Sequence, residues 1–443
     1  MKIGIYGGIA NNMYVFAKAF NACGVDICYI RDRSDRFPFS QPIWEDLELS
    51  LNYEEVSQAV NWSWGDWSAI ESKLGWGQPD WVFDPLKTSL DFTPNYKFDD
   101  CSFYDQLLLW RYLSSSPYRV SVLQKMRECN VLLVCGVEGS ILARLSGRPY
   151  IIWPYGADLL HAAGLLRSPI YKPIKYISHS FIHRQLTKAF QSAICIGNHE
   201  PSGITSDYYG AETYIQRLNV VFMPIPIPVR VRHPVARRKS DMFNLLKEQG
   251  VVIPQDAVVG FVPSRIDYEW KGQDKLLQAI DKLQVQLRSA KVRFVFSGWG
   301  TDFYNARNFA RDNKIDDFTI FLDVALSKPL LFKYYLAADF VVDQFNVGMY
   351  GTSALEAMAS GGPLMIWLNE NYERSWGKPP VINVHTGGEI FTALKNIIEG
   401  KINLDVMGSE LQAWMGRIHD PAGVVNSLIE IFNNPTSIDR GWR

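Results

Sequence analysis

An α/β fold of two doubly wound parallel-sheet halves is predicted by three observations. Short apolar runs alternate with helix-length segments in both halves of the chain, the pattern of parallel sheets covered on both faces. The 443 residues exceed what one hydrophobic core usually organises, so two domains are expected. A segment with four prolines and a basic cluster, 223–239, separates the halves. Proline neither donates to a central β-ladder nor continues a helix interior, so this segment reads as a linker.

The elements follow in order. Residues 2–6 form an apolar run closed by Gly7-Gly8, and a helical segment (13–24) leads to a second run at 25–30, a β-α-β opening. Further β-type runs occupy 130–136, 149–156 and 192–197. A second series starts near residue 258. It comprises a strand at 258–263, a helix over 275–287, strands at 292–296 and 318–324, a helix over 330–338, a strand at 339–345 and a helix over 353–361. The predicted organisation is an N-terminal Rossmann-like domain (1–228), a C-terminal Rossmann-like domain (229–425) and a helical segment (426–443) that packs back on the N-terminal domain. Two such halves place a cleft at the carboxyl ends of the strands, where ligands bind in open α/β folds. Between residues 40 and 125, Trp44, Trp62, Trp64, Trp67, Trp76 and Trp81 fall without regular spacing, and no strand is assigned there. These rings suit either a core or stacking on acceptor sugars.

With 47% hydrophobic and 21% charged residues the chain has the composition of a globular protein. A formal net charge of −1 supplies no field for nucleic acid, which is therefore not expected as a partner. The six cysteines, Cys23, Cys28, Cys101, Cys129, Cys135 and Cys195, show no C-x-x-C or Cys/His spacing and read as reduced core thiols. The N-terminus has no charged region leading into a long apolar stretch, and no run of about 18 apolar residues occurs, so a cytoplasmic protein is expected.

Two segments carry candidate chemistry. In Ser264–Gly272, between a strand and a helix, Arg265 offers a planar fork and Lys271 a point charge. Fixed cations stabilise a nucleotide diphosphate leaving group as its charge grows. The other reading is a pair of surface cations beside Asp267 and Glu269. In Gly348–Gly361, Gly348 and Gly351 permit close backbone approach to a ligand, Thr352 fits the N-cap of the following helix, and the amides of Met349, Tyr350 and Gly351 can face phosphate or sugar. Glu356, one turn into that apolar helix, suits vicinal ribose hydroxyls. A buried carboxylate is costly without a partner, which favours a ligand over a solvated glutamate.

Together these segments resemble glycosyltransferase family 4, whose C-terminal domain has an Arg and a Lys-Gly in one loop and a glutamate helix of the form L-E-A-M-A-S-G. The resemblance, covering about residues 130–430, implies the GT-B architecture and a retaining transferase in which the donor phosphate assists deprotonation. It gives Arg265 and Lys271 the donor diphosphate and Glu356 the ribose. Gly298 and Gly300 resemble the family's glycine turn near the nucleotide, and Gly7 and Gly8 its N-terminal glycine loop; the first pair also reads as a plain β-turn. The donor implied is a UDP- or GDP-sugar, a substrate rather than a cofactor. No cofactor is expected, and the absence of D-x-D points away from a metal-bound donor. The acceptor is a glycan, a lipid-linked sugar or a small molecule.

The sequence departs from the family at two places. Where the family carries a first glutamate it has Gly348, which bears on donor-sugar choice and activity. Where the family has H-G-x-D it has Tyr155-Gly156-Ala157-Asp158. Tyr155 could donate to the sugar, or the segment is a strand-end turn with Asp158 capping a helix. Residues 167–188 hold Arg167, Lys172, Lys175, His179, His183, Arg184 and Lys188. They suit peripheral contact with the inner face of a membrane, or a solvated helix face. A GT-B epimerase or hydrolase, and a non-catalytic scaffold, are the alternative functions.

Overall fold

The computed structural model describes residues 1–32, 38–52, 67–87, 102–164, 173–198, 218, 220–232, 239–370 and 376–435. Trp62, Trp64, Cys101, Arg167, Lys172, 233–238 and 436–443 lie outside the described residues.

The strands, numbered along the chain, are β1 Ile3–Tyr6, β2 Ile27–Ile30, β3 Ser50–Asn52, β4 Val82–Phe83, β5 Val131–Val134, β6 Tyr150–Ile152, β7 Ile196–Asn198 and β8 Phe222–Pro224. They continue with β9 Val258–Val262, β10 Val292–Phe296, β11 Thr319–Phe321, β12 Val324–Leu326, β13 Phe340–Val342, β14 Leu364–Ile366 and β15 Ile382–Asn383. Each apolar run read from the sequence overlaps one of these strands.

The chain divides into two compact units, Met1–Gln41 with Gly75–Pro228 and Pro421–Arg443, and Pro42–Leu74 with Val229–Asp420. In the first unit the described strands form a parallel sheet in the order β4-β2-β1-β5-β6-β7-β8. β1 and β5 are buried on both faces, which is why they read as unbroken apolar runs rather than alternating ones. The terminal helix Pro421–Asn433 belongs to this unit and packs on the helix Asn12–Ala22. The proline-rich segment is not linker throughout. Its first residues form β8, an edge strand, where a proline removes no needed donor, and its last residue opens the helix Lys239–Glu248.

The second unit holds a parallel sheet in the order β11-β10-β9-β13-β14-β15. Its core includes Ile266, Leu276, Ile280, Phe294, Phe296, Phe340 and Met365. The run at 318–324, expected as one strand, splits after Phe321, and β12 leaves to pair antiparallel with β3, Ala325 facing Leu51. Ser327 secures the join: its amide donates to Leu49 O (2.8 Å), its hydroxyl donates to Leu47 O (2.7 Å) and accepts from Leu49 N (2.8 Å). Of the residues assigned by sequence to the N-terminal domain, the described 42–52 and 67–74 therefore group with the second unit.

Of the tryptophans expected in a core or on a sugar, Trp44 is buried, Trp81 stacks on Tyr14 at 5.5 Å and Trp76 lies under the Arg31 guanidinium. Cys28, Cys129, Cys135 and Cys195 are buried, whereas Cys23 is exposed and so not a core thiol. Among the described residues no helix is long and apolar enough to cross a membrane.

Candidate functional site

The loop after β9 is locked by its own backbone. Asp267 O accepts from the amides of Lys271 (2.7 Å) and Gly272 (3.2 Å), and Asp267 Oδ1 accepts from Trp270 N (3.0 Å). Buried Gln273, the first residue of the helix Gln273–Lys282, donates to Arg265 O (2.8 Å) and accepts from Asp267 N (3.1 Å). The two cations emerge from this frame differently. The Arg265 side chain is 44% exposed and meets Asp267 Oδ2 at 3.3 Å, while that of Lys271 is 22% exposed, with Nζ 3.8 Å from Asp343 Oδ1.

The glycine turn after β10 interlocks with this loop. Ile266 N donates to Trp299 O (2.8 Å), Asp302 N to Ile266 O (3.1 Å), and Tyr268 N to Asp302 Oδ2 (2.9 Å). A Cβ at Gly298 would sit 1.5 Å from Leu322 O, and one at Gly300, φ +128°, 2.2 Å from Ile266 O. Both glycines are thus required by backbone packing, which accounts for the turn without a ligand and also fixes the Arg265 loop.

The segment after β13 adds a third layer. Gln344 clamps it, its Oε1 accepting from Asn346 N (3.1 Å) and Val347 N (2.7 Å) and its Nε2 donating to Met349 O (2.6 Å) and Trp367 O (2.9 Å). Asn346 Nδ2 donates to Tyr268 O (2.8 Å), and Phe345 N to Lys271 O (2.8 Å), tying the segment to the Arg265 loop. Arg265, Lys271, Gly298, Gly300 and Gly348 are therefore carried by three loops at the carboxyl ends of β9, β10 and β13, the loop after β9 being bonded to each of the other two. The sequence reading missed Gln344 and Asn346.

Gly348 has φ +76°, and a Cβ there would lie 2.9 Å from the Trp367 ring, which stacks on His385 at 4.0 Å. The indole fills the space that a side chain at 348 would enter. Gly351, not Thr352, is the N-cap of the helix Thr352–Ala359, with no side-chain cap, and Thr352 is its first helical residue. The Tyr350 side chain is fully buried against Trp414 and His419, so only its backbone can meet a ligand.

Glu356 is buried, as its apolar neighbours foretold, but it is not without a partner. Lys328, first residue of the helix Lys328–Ala337, forms an ion pair with Oε1, and the Tyr335 hydroxyl donates to Oε2 at 3.4 Å. Burial alone would lower the Lys328 pKa, yet the adjoining carboxylates Glu356 and Glu45 outweigh it and the net shift is upward. Burial, then Glu356, raises the Tyr335 hydroxyl well above its usual range. Glu356 therefore needs no ligand to offset its burial; a ribose would share it with Lys328 and Tyr335.

Gly7, Gly8, Tyr155 and Asp158 belong to the first unit. Gly7, φ +141°, has no room for a Cβ against Met13 and Cys135, and Gly8 is buried. Asp158 is fully buried and serves the backbone: Oδ1 accepts from the amides of Tyr155 (3.1 Å), Gly156 (3.0 Å) and Leu159 (3.0 Å), and Oδ2 from Gly136 (3.3 Å). Burial lifts its carboxyl to about 6 against the pull of these four donors. Asp158 is thus committed to shaping the turn, and Tyr155, half-buried, packs beside Gly136. In the helix Pro173–Ser192, His179, His183, Arg184 and Lys188 are half-buried, and Arg184 pairs with Asp105 at 2.9 Å.

Residues 246–369, which hold all three interlocked loops and Glu356, match the family described as glycosyl transferases group 1. A search of curated proteins finds no match. Among solved structures, the chain is similar to HepE of Anabaena in complex with UDP and glucose, at 14% identity and a TM-score of 0.58, covering 98% of this chain and 99% of that one. It is similar to sucrose-phosphate synthase of Thermosynechococcus elongatus at 12% identity and a TM-score of 0.59, covering 98% of each chain. A glycosyltransferase of Rickettsia africae aligns at 10% identity and a TM-score of 0.58, over 99% of this chain and 98% of that one. With its two parallel-sheet α/β units, the chain has the GT-B fold.

Proposed function

We propose that this chain is a retaining, family 4-like glycosyltransferase that moves a sugar from a nucleotide diphosphate donor to a glycan, lipid-linked or small-molecule acceptor. The observation that carries the reading is the placement of Arg265 and Lys271 on one backbone-locked loop within the matched residues 246–369. HepE has been solved with UDP and with UDP-glucose, which supports a UDP-sugar over a GDP-sugar.

In this reading Arg265 and Lys271 bind the diphosphate and stabilise the charge that develops as the glycosidic bond breaks, so the leaving group needs no metal ion. Loops already locked in place need little rearrangement as that charge appears. The amides of Met349–Thr352 face the donor, and Glu356 accepts from the ribose hydroxyls. A donor phosphate oxygen takes the acceptor proton on the same face from which the nucleotide leaves, which retains the anomeric configuration and uses no protein nucleophile. We place the protein in the cytoplasm, reaching a lipid-linked acceptor from the inner membrane face.

Thermal unfolding against UDP, GDP, ADP, CMP and dTDP tests the donor site, because a ligand that binds only the folded chain raises the midpoint. A selective rise with UDP, lost in Arg265→Ala, is expected. No rise with any of them at millimolar concentration would favour the scaffold alternative, which draws its support from the absent side chain at Gly348 and the pairing of Glu356 with Lys328.

A further inference from the structure

Asp343 follows β13 and is sealed from solvent, with a side-chain exposure of 0%. Its amide donates to Met365 O at 3.1 Å, but neither carboxylate oxygen accepts a hydrogen bond among the described residues. A buried carboxylate in that state is costly unless a cation compensates it. The structure brings one, Lys271, whose Nζ lies 3.8 Å from Oδ1. We infer that Asp343 is a positioning residue that holds the Lys271 ammonium in place at the donor loop, an inference that rests on the proposed diphosphate role of Lys271.

The backbone supports the assignment from both sides. Lys271 N is fixed to Asp267 O, and Lys271 O accepts from Phe345 N, two residues beyond Asp343, so the partners are registered before their side chains meet. At 3.8 Å the pair is ionic without a hydrogen bond, which leaves the three ammonium donors available to an incoming ligand. A lysine stem already fixed by its counter-ion loses less rotamer freedom when it engages an anion. Sealed from solvent, Asp343 acts through Lys271 rather than on a ligand itself.

The experiment uses the full chain with Asp343→Asn, Lys271→Ala and the double variant. The first readout is the rate at which an amine-acylating reagent labels Lys271 without ligand, followed by mass spectrometry, with exposed Lys395 as control. Freed from its carboxylate, Lys271 in Asp343→Asn is expected to label about threefold faster or more, with Lys395 unchanged. The second readout is the Kd for UDP. Asp343→Asn is expected to weaken UDP binding about fivefold when Lys271 is present and not at all in the Lys271→Ala background.

Unchanged Lys271 labelling in folded Asp343→Asn, or equal weakening of UDP binding in both backgrounds, would overturn the assignment. Asp343→Leu, an apolar replacement of similar size, gives the same comparison should the asparagine variant fail to fold. If UDP does not bind the unaltered protein, the donor-site reading falls, while the labelling rates still decide whether Asp343 holds Lys271.

Discussion

Lys328 and Glu356 form a buried ion pair across two helices, one supplying the cation at its first residue and the other a carboxylate one turn in. Cutting one partner strands the other. Lys328→Met is expected to destabilise the second unit by about 3 kcal/mol, the usual cost of an uncompensated buried charge. Lys328→Met with Glu356→Gln should recover most of that. Thermal melts of the two variants beside the unaltered chain check this; Lys328→Met as stable as the unaltered chain would show that the pair adds nothing.

Arg265→Ala separates chemistry from stability. Its side chain is 44% exposed, and the buried Asp267 keeps the Trp270 amide as a partner when the arginine is removed, so the fold should lose no more than about 1 kcal/mol. If Arg265 stabilises a departing diphosphate, turnover should fall by a factor on the order of 100 or more. Initial rates with UDP-glucose, set beside a melt of the same preparation, distinguish the two effects.

Gly348→Glu supplies the glutamate that glycosyltransferase family 4 carries there in name but not in place. With φ +76° the backbone resists any side chain, and the Trp367 ring stands 2.9 Å from the first added atom. We expect a loss of about 1–3 kcal/mol for the strained backbone and no gain in turnover. Gly348→Ala paired with Trp367→Ala should remain less stable than Trp367→Ala alone, because removing the ring leaves φ unchanged. Melting temperatures of these variants provide the check.

The fold was legible where local pattern decides it. Strands such as β1 and β5 are apolar because both faces are covered, and that composition appears in any reading of the chain. The departure of β12 to meet β3 was not legible: two three-residue strands distant in sequence leave no periodicity, and the pairing rests on Ser327. Arg265, Lys271 and Glu356 stood out in the sequence, and so did Asp267 beside Arg265, but the partners of Lys271 and Glu356 did not. Lys328 did leave a signal, since a cation at the start of a helix opposes the macrodipole and calls for a compensating anion. Asp343 left another, an acid closing an otherwise apolar strand run.

Asp158 makes stability depend on pH in a direction opposite to most paired carboxylates. Its folded pKa, about 6, lies above the ordinary 3.8, so between these values the folded chain binds more protons than the unfolded one. Stability from this group is therefore fully present below about pH 4 and declines as pH rises towards 6, by roughly 3 kcal/mol in all. Asp158→Asn keeps one oxygen for the amides of Tyr155, Gly156 and Leu159 but cannot accept at Gly136, so it should be less stable at low pH and lose this slope. Denaturant melts of both proteins between pH 4 and 7, with the slope compared after subtraction, test the assignment. An identical slope in Asp158→Asn would place the titrating proton on another group, and would mean that the four backbone donors hold Asp158 ionised despite its burial.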